Sequence, residues 1–180
     1  LLGNREKSQI PDLLPLMDKG GLPPIQISDI QGEKIFLETP VHTFRHHTRA
    51  FLKIQDGCDG QCSYCIVPLA RGPSRSLSPE RIVEHLRILK ERGFKEVVLT
   101  GIHIGSYGSD LQPPFSLEKL LQRIEMEDTP SRIRLSSIEP LDFSPGLISI
   151  LSQSKKICSH LHIPIQSGSA GSKRRTSVVM

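Results

Sequence analysis

A short apolar run, Ala50-Phe51-Leu52-Lys53-Ile54, leads within four residues to three cysteines, Cys58, Cys62 and Cys65. They stand in Asp56-Gly57-Cys58-Asp59-Gly60-Gln61-Cys62-Ser63-Tyr64-Cys65-Ile66-Val67-Pro68. Glycines and small polar residues between the thiols describe an exposed loop, so the strand must deliver them to a rim rather than to a core. Three thiolates within eight residues suit three corners of a [4Fe–4S] cube and leave its fourth iron without a protein ligand. A disulfide fits poorly, because the set is odd and the chain lacks a secreted-scaffold pattern. Structural zinc needs four N or S ligands. Cys158 lies far downstream, so a zinc site would borrow a histidine such as His46 or His47. Cluster ligation is the better reading, with zinc as the alternative.

The chain beyond this loop alternates strand and helix. Ser78-Pro79-Glu80 supplies an N-cap, a proline at the first helical position and an acid in the first turn. Ile82, Val83, Leu86 and Leu89 follow at helical spacing, and Gly93 stands where a helix ends. Ser116 and Ser144-Pro145 repeat the device, predicting helices near 79–92, 116–127 and 145–153. Strands are predicted near 50–54, 97–100, 132–136 and 160–164. Strand, loop and helix repeated in this way argue for an α/β fold with a parallel sheet and right-handed crossovers, an open four-stranded (β/α) barrel. Such sheets carry chemistry in the loops after the C-terminal strand ends. Those loops are the cysteine loop, Gly101–Gly108, Ser136–Pro140 and Gln166–Ser169.

Residues 1–47 carry weaker signals. Ile10-Pro11-Asp12-Leu13-Leu14 opens a short helix, and Gly20-Gly21-Leu22-Pro23-Pro24 breaks it. His42, His46 and His47 read as part of a solvated linker. The final stretch, 170–180, is small and basic without helical or strand period. With a first residue that is not Met, both ends read as those of a fragment. The 37% apolar content and net charge of +4 are ordinary for a soluble globular protein with a weak lean toward anionic partners. No apolar run approaches the roughly 18–20 residues of a membrane span. Free cysteines without a secretory signal suit a reducing, cytoplasmic setting.

The run from Arg49 through Pro68, with Ala70-Arg71-Gly72 and Arg75-Ser76, resembles the radical S-adenosylmethionine (radical SAM) methylthiotransferases. Val98-Leu99-Thr100-Gly101-Ile102, Arg134-Leu135-Ser136-Ser137-Ile138-Glu139-Pro140 and His162-Ile163-Pro164-Ile165-Gln166-Ser167-Gly168-Ser169 extend the resemblance. It is most similar to the branch that modifies N6-threonylcarbamoyladenosine beside the tRNA anticodon. Sibling branches act on isopentenyladenosine in tRNA or on a ribosomal protein. A zinc-binding RNA-interaction module and an inactive truncated product are the readings from other classes.

The resemblance implies residues 1–47 as the trailing edge of an N-terminal methylthiotransferase domain with its linker. It implies 48–169 as a partial radical SAM core, incomplete at both ends, and leaves 170–180 unlike the family. It further implies a transferase with a [4Fe–4S] cluster on Cys58, Cys62 and Cys65, and S-adenosyl-L-methionine as the second cofactor. Reductive cleavage would yield a 5′-deoxyadenosyl radical. Tyr64, Gly101, Ser137, Glu139 and Gln166 are the implied SAM contacts, and Arg71 and Arg75 candidate substrate contacts. The implied partners are tRNA and an electron donor such as a flavodoxin or ferredoxin, with no membrane. Glu139 and Asp142 as paired acids are not required by radical chemistry.

Overall fold

The computed structural model describes residues 1–17, 25–39, 47–166 and 168. His42, His46 and the 170–180 tail lie outside them.

Strands β1 (Arg49–Lys53), β4 (Glu96–Thr100) and β5 (Arg132–Leu135) form one parallel sheet in the order β1-β4-β5. Helices α3 (Pro79–Glu91) and α4 (Leu117–Met126) provide the crossovers, and α5 (Pro145–Gln153) follows β5. Each of these helices begins on a serine whose Oγ accepts a first-turn N–H: Ser78 from Arg81, Ser116 from Lys119 and Ser144 from Leu147. Each cap is worth about 1 kcal/mol. Gly93, at φ +89°, closes α3 in the left-handed region where glycine carries no Cβ penalty. An earlier helix, α1 (Ile10–Met17), stands at the predicted N-terminal position.

Alternation along the strands sorts the sheet into two faces. Ala50, Leu52, Val97, Leu99, Ile133 and Leu135 pack against Ile82, Leu86, Leu89, Leu120, Leu121, Ile124 and Leu147 in one aliphatic core. The opposite face carries registered rows, Arg49–Glu96–Arg132 and Phe51–Val98–Arg134. Glu96 meets Arg134 at 2.8 Å, Arg132 at 3.0 Å and Arg49 at 3.6 Å. The Arg134 and Arg132 guanidinium groups hold its carboxyl below the usual range against the opposing effect of burial.

The predicted strand at 160–164 does not form a ladder. Only single parallel bridges, Ile157 to Ile133 and His162 to Ser137, carry this segment along β5. Between them the chain turns back, His160 N donating to Cys158 O at 2.7 Å. Pro164 brings no N–H to a ladder. An antiparallel pair was not anticipated: β2 (Gln55–Asp56) pairs with β3 (Arg75–Ser76) across the neck of the cysteine loop. Between them, α2 (Val67–Arg71) forms the loop's returning side.

Candidate active site at the strand ends

The cysteine loop leaves β2 and returns through α2 to β3, so the short ladder closes it at the base. Gly57 and Gly72 make this neck, at φ +72° and +73°. A Cβ on Gly57 would lie 1.9 Å from Pro73 O, a clash with backbone that no rotamer relieves. Cys58 N donates to Gly72 O and Ser74 N to Asp59 Oδ1, tying the loop across itself.

Cys58, Cys62 and Cys65 all line one cavity of about 480 Å³, together with Tyr64, Ile102, His103, Glu139, Asp142 and Gln166. The cysteines therefore converge with three of the five predicted SAM contacts, Tyr64, Glu139 and Gln166. Gly101 and Ser137 are not lining residues. Gly101 sits behind the wall, where a Cβ would press to 2.9 Å from Gln55. Ser137 Oγ bonds His162 Nδ1 at 2.7 Å. Gln166 takes a left-handed backbone, φ +53°.

The two candidate substrate arginines are placed differently from each other. Arg75 is only 3% exposed, and its guanidinium donates to Pro73 O and Arg71 O, bracing the neck. It faces inward because β3 must cover the base of the loop. Arg71 pairs with Asp56 at 3.1 Å and keeps part of its surface in solvent. Burial would raise the Asp56 pKa, but Lys53 and hydrogen bonds from Lys53, Gly57 and Arg71 outweigh it and hold the carboxyl low.

Reading along the chain missed His103 and Gln55. His103 Nε2 donates to Asp142 Oδ2 at 2.8 Å, and its Nδ1 stands 4.0 Å from Cys58 Sγ. The Asp142 carboxylate, then the Cys58 sulfur, push the His103 pKa up to about 10 against partial burial. In return the imidazole draws the Cys58 thiol below its ordinary range, aided by Gly60 N at 3.3 Å from Sγ. Burial and the neighbouring thiols push Cys62 the other way. Gln55 is fully buried between the cysteine loop and the loop that follows β4. A histidine two residues after Gly101 in a strand-end loop was the available signal for His103.

Three thiols on one loop, opening on one cavity with a cationic imidazole and a backbone N–H beside Cys58, suit a thiolate-ligated iron–sulfur cluster. Cys158 is buried at the opposite end of β5, its N–H bonded to Ile133 O. Among the described residues no three His, Cys, Asp or Glu side chains surround a point fit for a single metal ion. The described His47 is exposed. No helix among the described residues is long and apolar enough to cross a membrane.

The sequence matches the Radical SAM superfamily over residues 52–177. It is 44% identical over 144 residues to the threonylcarbamoyladenosine tRNA methylthiotransferase MtaB of Bacillus subtilis, covering 79% of this chain and 32% of that protein. It is 37% identical over 169 residues to the tRNA-2-methylthio-N(6)-dimethylallyladenosine synthase of Pelotomaculum thermopropionicum, covering 94% and 38%. The chain thus spans about a third of the length of these curated relatives. Among solved structures, it is similar in fold to the radical S-adenosylmethionine methyltransferase TsrM from Kitasatospora setae, with TM-score 0.59 and 18% identity, covering 72% of this chain and 24% of that one. The cobalamin-dependent S-adenosylmethionine radical enzyme OxsB matches with TM-score 0.57 and 15% identity over 98% of this chain and 29% of its own. The match covers more than half of the chain and includes the cysteine loop, and the chain belongs to the radical SAM superfamily, whose cofactors are a [4Fe–4S] cluster and S-adenosylmethionine.

Proposed function

We propose that this chain is the SAM-cleaving portion of a cytoplasmic tRNA methylthiotransferase acting on N6-threonylcarbamoyladenosine. The observation that carries the chemistry is the convergence of Cys58, Cys62 and Cys65 on one strand-end cavity. The substrate assignment rests on the 44% identity over 144 residues to the B. subtilis protein, with a dimethylallyladenosine synthase of Lachnoclostridium phytofermentans at 42% over 139 residues as the competing reading. The domain reading is retained: 1–47 flanks and 48–169 forms the partial core.

In this reading Cys58, Cys62 and Cys65 hold the cluster. With SAM bound, a cluster reduced by an external one-electron donor would supply reductive cleavage of a carbon–sulfur bond of SAM, releasing methionine and a carbon radical able to abstract hydrogen. His103 and Gly60 N stabilise the Cys58 thiolate, a charge that a ligand must carry. Glu139 and Gln166 offer a carboxylate and an amide in the same wall, suited to the ammonium and carboxylate of an amino acid. Tyr64 presents an aromatic face at the rim for the adenine. Ile102, Pro140, Leu141, Pro164 and Ile165 make much of the remaining wall apolar. Arg71 is the remaining candidate for a phosphate contact, its guanidinium part exposed beside the loop.

The test is anaerobic reconstitution with iron and sulfide, followed by incubation with reductant, SAM and anticodon stem-loops. One stem-loop bears threonylcarbamoyladenosine and the other isopentenyladenosine. A brown protein that forms 5′-deoxyadenosine supports the centre, and faster formation with the threonylcarbamoyl stem-loop supports the substrate. A colourless protein that makes none would overturn the reading. The chain's three loop cysteines are committed to one cluster, so methylthiolated nucleoside is not expected from the chain alone.

A further inference from the structure

Gln55 is an uncharged polar side chain placed where a core would ordinarily hold an aliphatic one. It is 0% exposed. An amide buried without partners would be strongly destabilising, yet both ends of this one are satisfied. Its Oε1 accepts from Ile102 N at 2.9 Å and His103 N at 2.8 Å. Its Nε2 donates to Gly57 O at 2.8 Å, to Ser74 Oγ at 3.0 Å and to Asp56 O at 3.2 Å. One amide therefore joins the descending side of the cysteine loop, its returning side and the loop after β4. Gly101 leaves the space: a Cβ there would stand 2.9 Å from both Cβ and Oε1 of Gln55.

The contacts are directional. An amide has one end that only accepts and one that only donates. The loop after β4 presents two N–H groups, and the cysteine loop presents carbonyl oxygens and a hydroxyl. Neither a carboxylate nor an aliphatic chain can satisfy both sets. The backbone N–H that Gln55 receives from His103 belongs to the residue whose imidazole faces Cys58 Sγ.

We propose that Gln55 is a positioning residue that locks the cysteine loop to the loop after β4, fixing the separation between Cys58 and the opposite cavity wall at Ile102 and His103. The inference rests on the radical SAM reading of the cavity. It adds that SAM affinity and the cluster's response to SAM depend on a residue that touches neither.

The test compares Gln55→Met and Gln55→Glu with Tyr107→Phe after anaerobic reconstitution of the full chain. Tyr107 is a buried control, its hydroxyl donating to Leu77 O at 2.6 Å outside the cavity. Readouts are the unfolding midpoint, iron content, SAM Kd by spectral titration, and the electron paramagnetic resonance of the reduced cluster with and without SAM. Gln55→Met is expected to load iron but bind SAM roughly ten- to hundredfold more weakly, with a diminished spectral change on SAM addition. Gln55→Glu keeps the acceptor half and should fall between Met and Gln. If Gln55→Met does not fold, Gln55→Glu and Gly101→Ala carry the same test. Wild-type SAM affinity in folded Gln55 variants, or a loss matched by Tyr107→Phe at equal destabilisation, would overturn the inference. Failure of the wild-type chain to take up a cluster would instead strike the proposed function.

Discussion

Two cavities of similar size lie at opposite ends of the same sheet, about 480 Å³ at the C-terminal strand ends and about 440 Å³ at the N-terminal ends. Both are lined by groups capable of chemistry. The first holds Cys58, Cys62, Cys65, His103, Glu139 and Gln166; the second holds Lys90, Lys95, Lys155, Lys156, Asp128 and Thr129. What separates them is the use of those groups. Lys90 pairs with Asp128, and Lys156 Nζ reaches Ile124 O, Glu127 O and Thr129 Oγ1, the carbonyl end of α4. A cation at a helix C-terminus satisfies carbonyls that otherwise lack partners. At the other end the loops tie themselves through Gln55, Asp56 and Arg75 and leave the thiols facing the cavity. One end ties the last turn of α4 to the chain that follows it; the other leaves three thiols on a cavity.

The largest expected effect tests that division directly. Replacing Cys58, Cys62 or Cys65 by Ser should abolish cluster loading after anaerobic reconstitution, while Cys158→Ser should leave iron per chain unchanged. Iron analysis decides it, and loss of iron in the Cys158 variant would break the comparison.

At the opposite end, Lys156→Met should cost roughly 1.5–3 kcal/mol of stability, the range for hydrogen bonds from a charged donor. Iron content of the folded protein should not change. Urea denaturation with parallel iron assay makes the measurement, and a cluster defect without destabilisation would show that the two ends are coupled.

A smaller effect concerns the cluster-free protein. His103 is held near pKa 10 by Asp142 and Cys58, so it stays charged at neutral pH and favours the Cys58 thiolate. Cys62 is shifted upward by burial and its neighbours. Under anaerobic reducing conditions at pH 7, iodoacetamide should modify Cys58 several-fold faster than Cys62, and Asp142→Asn should narrow the gap. Peptide mass spectrometry reads the ratio; equal rates in the wild-type chain would remove His103 from the site.

The smallest effect lies on the open sheet face. The folded pKa of Glu96 is depressed below 4.5, so its contribution is fully present above that value and is lost as pH falls through the folded pKa. Glu96→Gln should therefore flatten the acid limb of the stability curve and change little at pH 7 relative to its own plateau. Melting temperatures between pH 3 and 7 test this.

Much of the fold was legible in the sequence because its signals are local. Ser78-Pro79, Ser116 and Ser144-Pro145 each satisfy N–H groups within their own first turn, and α3, α4 and α5 begin there. The runs at β1, β4 and β5 became parallel strands because helical crossovers return the chain to the same end of the sheet. The fourth run failed as a ladder because His160 turned back on Cys158 and Pro164 carries no N–H. The direction of Arg75 was also hidden, since its acceptors, Pro73 O and Arg71 O, exist only once the neck has closed.

The sequence alone determined which residues form the crossovers, which loop carries the three thiols, and that this loop must follow a strand. Those follow from spacing, caps and turn residues, interactions spanning a few positions of chain. Only the tertiary structure decided that Gln55 meets Ile102 and His103, nearly fifty positions away, and that Asp142 meets His103 beside Cys58. A polar side chain's role depends on which donors and acceptors remain when the backbone has packed, and that remainder is set by the fold as a whole.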